Sequence, residues 1–420
     1  MGLDNNIPDS WKVTNLESCL SSLIDYRGKT PKKSKSGILA LSAKSVKMGY
    51  IDYNQAYYIS TETYKNFMVR GFPKKGDILM TTEAPLGCIA KLDRENITVA
   101  QRLLTLRGKS NLLDNDYLMF YLMSRIGQYE LKSRASGSTV QGIKRTEFSR
   151  VNIILPPLPE QKAIAKVLTA FDDKIELLQA QNITLETMAQ TIFKEWFGKY
   201  QKESSPPNGW RTFSLSELVD TINGYSYKGK ELVEESNEAL VTLKSFDRNG
   251  GFQTRGFKPF KGLPKTQHEV KIGDLVVAHT DLTQDAEVLG NPAFIFDNGG
   301  FEKMYITMDL VKVISKNDNI GSSFLYYLMK DRYFKGHCVG YSNGTTVLHL
   351  SKKAIPEYEL YLPENFDLIK KFTKIANDTT NKISLNKDAI KALTKTRDTL
   401  LPKLMSGQVR VNNLKQTADA

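Results

Sequence analysis

Cysteine is scarce in this 420-residue chain, with three in all, Cys19, Cys88 and Cys338. None belongs to a CxxC pair or has a histidine at ligand spacing, so a disulfide framework and a thiolate zinc site are excluded and buried single thiols are expected. The four histidines, His268, His279, His337 and His349, show no spacing that builds a catalytic triad or a metal site. Long apolar runs are missing too. No window approaches 18 apolar residues, and the start Met-Gly-Leu-Asp-Asn-Asn has neither the basic nor the apolar region of a secretory signal, so a soluble, cytoplasmic protein is expected. Acidic excess is absent: 58 Lys plus Arg stand against 46 Asp plus Glu, a net charge of +12 with pI about 9.2. That favours an anionic partner, nucleic acid or an acidic surface. The excess is uneven, 23 basic against 14 acidic residues over 1–156 but 19 against 20 over 200–363.

What the chain does have is a long heptad stripe. Between Pro159 and Lys199, spacings of four and three place Ile164, Leu168, Phe171, Ile175, Leu178, Asn182, Leu185, Ala189, Ile192 and Trp196 on one seam, and only Asn182 is polar. At about 1.5 Å per residue this helix is too long for one globular core and needs a partner helix. A second stripe supplies it: Phe372, Ala376, Thr379, Ile383, Asn386, Ile390, Leu393, Arg397, Leu400 and Leu404. An antiparallel pair with Asn182 facing Asn386 sets Leu185 against Ile383 and Ile175 against Leu393. A buried asparagine pair fixes register at some loss of stability. Val167, Leu177, Ile183, Met188 and Phe193 lie beyond the seam of the first helix, as docking faces or as a wider seam.

Around these helices the chain repeats itself. Strands are expected at Ile38–Leu41, Asp77–Thr81, Cys88–Leu92 and Val151–Leu155, and a helix capped by Asp116 at Asp116–Arg134. Trp11-Lys-Val returns as Trp210-Arg-Thr, and Lys75-Gly-Asp-Ile as Ile272-Gly-Asp-Leu. Leu118–Ser124 returns as Phe324–Lys330, and Ala135-Ser-Gly-Ser-Thr-Val140 as Ser342-Asn-Gly-Thr-Thr-Val347. All the matches fall in one order at offsets near 200, which marks a tandem duplication. The boundaries are 1–157 for the first globular domain, 158–200 for the central helix, 201–363 for the second domain, 364–412 for the C-terminal helix and 413–420 for a disordered tail. The class is α+β: two similar domains, each a twisted and mainly antiparallel sheet plus helices, on an antiparallel coiled coil, related by a pseudo-twofold repeat. Two tips at a separation set by paired helices measure distance along duplex DNA, where half-sites lie a set rise apart.

Pro156-Pro-Leu-Pro-Glu-Gln-Lys162 leading into Ile164–Asp173, the repeat of domain plus long helix, and the tail Thr399-Leu-Leu-Pro-Lys-Leu-Met-Ser-Gly-Gln408 resemble the specificity subunit of type I restriction-modification systems over nearly the whole chain. The second junction, Tyr361-Leu-Pro-Glu-Asn-Phe366, departs from the pattern. The resemblance implies a non-catalytic subunit whose two target-recognition domains each read half of a bipartite duplex site. Its helices would dock two methyltransferase subunits, and the assembly would recruit the restriction, or motor-nuclease, subunits. S-adenosylmethionine, ATP and magnesium would serve those partners, with no cofactor on this chain. In isolation the helices are expected to allow self-association.

Candidate DNA contacts follow from loop chemistry. Arg27, Lys29, Lys32, Lys33, Lys35, Lys44 and Lys47 lie between Tyr26 and Ile51 without a carboxylate among them. Gly28, Pro31 and Gly37 make the stretch loop-like, suited to phosphate contact and major-groove readout. Lys228, Lys244, Arg248 and Arg255 are the candidates in the second domain. The glycine loops add Ser138, Thr139, Lys144 and Arg145 in the first copy and Asn343 and Thr345 in the second. Gly224-Tyr-Ser-Tyr-Lys-Gly-Lys230-Glu231 has the spacing of a phosphate loop, but Glu231 stands where a magnesium-binding hydroxyl belongs. Ser205-Pro-Pro-Asn208 is read as a linker. The competing readings are a scaffold that binds proteins at its helices and end domains, and a lone modification enzyme, against which the missing cofactor loop argues.

Overall fold

A computed structural model of the chain describes residues 7–26, 28–246 and 251–411, so the expected tail over 413–420 lies outside the described residues. Two compact units emerge, Met1–Leu177 with Ala389–Ala420, and Leu178–Asp388. Both are α+β.

In the first unit, Lys12–Asn15 pairs antiparallel with Asn152–Leu155 and so closes the two ends of the globular part. An antiparallel sheet follows the order Leu20–Asp25, Leu103–Gly108, Ile78–Thr81, Ile89–Lys91. A smaller sheet runs Tyr57–Ile59, Ile38–Leu41, Ile97–Val99, the last two parallel. Strand residues alternate between faces. Ile78, Met80, Leu104 and Leu106 therefore enter a core with the helical residues Leu118, Tyr121 and Leu122. Leu79 and Leu103 enter another with Leu41 and Val99 of the smaller sheet. Covering both faces explains why Ile78, Leu79 and Met80 are apolar without a break and Ile78–Thr81 is wholly buried.

The second unit repeats the plan. Trp210–Ser214 pairs with Glu359–Pro363, and the main sheet runs Val219–Asn223, Leu310–Ser315, Leu275–Ala278, Pro292–Phe294. Glu238–Val241 again pairs parallel, here with Lys303–Ile306. Leu275 and Val277 face the helical core, while Val276 and Ala278 face the other.

One expected helix is two. Asp114, rather than Asp116, caps Asn115–Met123 by accepting from the Asp116 and Tyr117 amides. Ser124 then leaves helical geometry and caps Arg125–Lys132 through the Gly127 amide. An acceptor at either serine or aspartate satisfies amides that the helix itself leaves open.

The long helices are Leu158–Trp196 and Asp367–Met405, 39 residues each and so about 60 Å long. The motif at the start of the first has a structural job. Gln161, fully buried, accepts from the Asp114 amide at 3.0 Å and donates to the carbonyls of Leu112 and Pro156 at 2.9 and 2.8 Å. Glu160 accepts from Trp11 Nε1 at 3.0 Å and from the Arg410 guanidinium. At the second junction, which lacks that glutamine, Gln201 takes a comparable role by exchanging two bonds with the backbone of Tyr361.

Every predicted seam residue is buried or half-buried. In the first unit Ile164, Leu168 and Leu404 share a core with Met405 and Val411, and Leu400 packs on it. Phe171, Ile175, Ile390 and Leu393 are half-buried, and Arg397 pairs with Asp172 at 2.6 Å. In the second unit Leu178 and Ile383 are buried and Leu185 and Ile192 half-buried. Asn386 donates to Asn182 Oδ1 at 2.8 Å and to Gln181 Oε1 at 2.9 Å, so the two seam asparagines do face each other. The same step along both helices from that pair leads to Trp196 and Phe372, whose rings meet edge to face. Beyond the seam, Leu177, Ile183 and Met188 are 60, 69 and 56% exposed. Phe193, expected among them, is instead buried between Phe197, Phe324 and Phe372.

Candidate nucleic-acid interface

Strand pairing decides which loops share an end of the main sheet. In the first unit Asp25 lies opposite Leu104, and Thr81 opposite Leu103. The loop after Tyr26, the Thr82–Gly87 loop and residues 100–102 therefore gather at one end. The Ser136–Gly142 loop joins them through a bridge between Gly142 and Glu83.

The lysine-bearing loop is the first part of that end. Lys29, Lys32, Lys33 and Lys35 are exposed. Its backbone is tied down, with Ser34 donating to the Tyr58 carbonyl at 2.7 Å and Lys29 accepting from the Gln101 amide at 3.1 Å. Lys33 Nζ stands 5.0 Å from the centre of the Tyr57 ring. Beside it a cleft of about 650 Å³ is lined by Lys32, Lys33, Ser34, Ser60 and Thr63 among others. Two ammonium groups with the hydroxyls of Thr30, Ser34, Ser60 and Thr63 suit a phosphodiester oxygen, against the single carboxylate of Glu62.

Strand equivalence shows where the second unit carries the same feature. The Ser34–Tyr58 bridge corresponds to a Leu232–Phe260 bridge, so the counterpart of Lys29–Lys35 is the exposed pair Lys228 and Lys230. Glu231, the residue that spoils the phosphate-loop motif, is used internally. It accepts from the Lys228 amide and from Tyr225 Oη at 2.8 Å, and those bonds hold its carboxyl below the usual range.

A second equivalence escaped the sequence reading. Ser42-Ala-Lys44-Ser45 and Thr242-Leu-Lys244-Ser245 form the same turn, with Ser45 donating to Ser42 and Ser245 to Thr242, each at 2.9 Å. Both second serines are fully buried and both lysines are exposed. The signal was a Lys-Ser pair repeated at an offset of 200, hidden because its neighbours differ. Lys47 is half-buried beside this turn and Arg255 exposed in the segment that closes the second copy. Arg27 and Arg248 lie outside the described residues.

The glycine loops share one turn. Gly137 and Gly344 have φ of +112° and +128°, and a Cβ on either would sit 2.2 or 2.0 Å from the carbonyl oxygen of Val140 or Val347. Only glycine fits such a turn. Ser138, Thr139, Asn343 and Thr345 are exposed around it, as is Lys144 after the first loop. Arg145, another candidate contact, is half-buried and engaged within the fold. Its guanidinium grips both carboxyl oxygens of Glu17, one at 2.8 Å. The hydrogen bond from Arg145 lowers the Glu17 pKa. This pair fastens the Arg145–Phe148 turn to the fold.

No helix among the described residues is long and apolar enough to cross a membrane, and no group of metal-ligating side chains occurs among them.

Residues 8–187 match the family described as the type I restriction modification DNA specificity domain. The MjaIX type I restriction enzyme specificity subunit of Methanocaldococcus jannaschii is 26% identical over 380 residues, covering 85% of this chain and 82% of its own. The MjaVIII specificity subunit of the same organism is 24% identical over 439 residues, covering 97 and 95%. The crystal structure of the type I restriction-modification S subunit from M. genitalium superposes with a TM-score of 0.58 at 21% identity, over 96% of this chain and 98% of that one, and so shares the fold. Residues 8–187 thus match the type I restriction modification DNA specificity domain, and the chain is similar along most of its length to type I restriction enzyme specificity subunits.

Proposed function

We propose that this chain reads DNA for a type I restriction-modification complex, each unit contacting one half of a bipartite duplex site through the loops at the end of its main sheet. The observation that carries this reading is the repetition of that sheet end, with exposed lysines at equivalent places on two loops, Lys32 with Lys230 and Lys44 with Lys244. Lysines on anchored loops supply sequence-independent phosphate contact, and the residues between them supply readout. In this reading the paired helices set the length of the unread spacer. Leu177, Ile183 and Met188, exposed on the first of them, dock two methyltransferase subunits, and the restriction subunits join that assembly. Catalysis belongs to those partners, with S-adenosylmethionine, ATP and magnesium.

Two measurements test it. Binding to duplex DNA should fall steeply between about 50 and 200 mM salt, and binding indifferent to salt favours the protein scaffold instead. Four residues added to both long helices lengthen each by about 6 Å, near two base-pair steps of about 3.4 Å. Methylome sequencing with the partner methyltransferase should then show a longer spacer between unchanged half-sites. Changed half-site bases or an unchanged spacer defeat the ruler.

A further inference from the structure

At the centre of each sheet end is a three-residue hub. In the first unit the Ala100 amide donates to Leu41 at 2.8 Å, Gln101 donates to Lys29 at 3.1 Å, and Arg102 accepts from the Thr82 amide at 2.9 Å. In the second, Thr307 donates to Val241 at 3.1 Å, Met308 to Tyr225 at 3.0 Å, and Asp309 accepts from His279 at 2.7 Å. Each hub thus ties together the lysine loop, the strand leading into the Lys44 or Lys244 turn, and the loop after the central strand. The same three backbone hydrogen-bond links occur twice, although Arg102 has a positive φ and Asp309 does not.

The side chains are not the same. An amide and a guanidinium, Gln101 and Arg102, stand where the other copy has a thioether and a carboxylate, Met308 and Asp309. Repeated backbone anchoring with changed side-chain chemistry, between flanking exposed lysines, is what two readers of different half-sites require. The groups are also available. The Arg102 side chain is 48% exposed, and its partner Glu83, at 2.7 Å, is 41% exposed, so their ion pair is weak enough to be exchanged for a base. Asp309 uses one oxygen to accept from Thr280 Oγ1 at 3.1 Å, which leaves the other, and Met308 is 52% exposed. Arg102 also holds φ at +69°, a backbone conformation that non-glycine residues seldom adopt without a reason.

We infer that Arg102 and Asp309 are base-reading residues of the two half-sites, Arg102 donating to guanine O6 and N7 and Asp309 accepting from a cytosine amino group. This rests on the DNA-reading function proposed above. The test is methylome sequencing of the full chain co-expressed with its methyltransferase subunit, beside salt-dependent binding of the wild type to duplex DNA. Arg102→Ala should relax one position of one half-site, with discrimination there falling about tenfold or more, and Asp309→Ala one position of the other. Arg102→Lys keeps the charge but loses the two-pronged donor and should relax the same position. Melting temperatures near wild type for all three separate lost readout from lost folding. Uniformly weaker methylation at an unchanged motif, or relaxation in both half-sites from one substitution, overturns the assignment. A wild type whose duplex binding is insensitive to salt overturns the function beneath it, whereas a wild type that binds with a steep salt slope and variants that keep its full motif overturn the residue assignment alone.

Discussion

Replacing Gln161 by leucine is the sharpest test of how the first long helix is seated. The side chain is fully buried and makes three hydrogen bonds, to the Asp114 amide and to the carbonyls of Leu112 and Pro156. Leucine of similar volume leaves no cavity, so the cost isolates the polar groups. Each buried hydrogen bond contributes about 1 kcal/mol net, and a buried group left without a partner costs about 1 to 3. A loss of about 3 kcal/mol follows, and for a cooperative unit of this size each kcal/mol moves the melting temperature by about 2 to 4 °C. Calorimetry should therefore show the transition of the first unit lowered by about 6 to 12 °C. Gln161→Glu should be worse at neutral than at mildly acidic pH, because an ionised carboxylate would face two carbonyls and protonation restores one donor. A shift below about 2 °C in both variants would refute the idea that this glutamine anchors the helix.

Neutralising Lys32 and Lys33 together with glutamine should weaken duplex binding on all sequences alike and flatten the salt slope by about 2, read by titration at several salt concentrations. Arg145→Ala should leave the recognised motif unchanged in methylome sequencing. It should lower stability by at most about 1 kcal/mol at neutral pH, since the pair is about one-third exposed. Glu17 titrates below the usual range in the folded state, so that contribution holds above the ordinary carboxylate pKa and fades as pH falls through the lowered value. Mass-spectrometric alkylation of the native protein at pH about 8 should modify Cys88 first and Cys338 last, because burial pushes the Cys338 thiol up to about 12.

The long helices were legible in the sequence because a heptad stripe is a local pattern, and the asparagine pair because a polar residue interrupts each stripe near its middle. The duplication was legible from short strings in one order. The sheet end was not. Lys44 and Lys244 occupy one turn, yet only the serine after each betrays it, and Gln101 became interesting only once strand pairing set its amide against Lys29. Such neighbours are far apart in the chain, so no periodicity reports them. The misplaced cap at Asp116 has a simpler cause. Asp114 and Asp116 both suit the position, and the bond from the Asp114 amide to Gln161, remote in sequence, ties that residue to the first long helix.

The first unit is built from two stretches of chain far apart in the sequence, because Leu404, Met405 and Val411 complete the core begun by Trp11 and Leu16. A ribosome making this protein therefore releases the last apolar pieces of its earliest domain only after everything between has been synthesised. Until then the surface that will receive them faces solvent and the growing chain is exposed to aggregation. A stop codon shortly before Leu404 would leave that core open, so truncated products are marked for removal by their own unfinished interior.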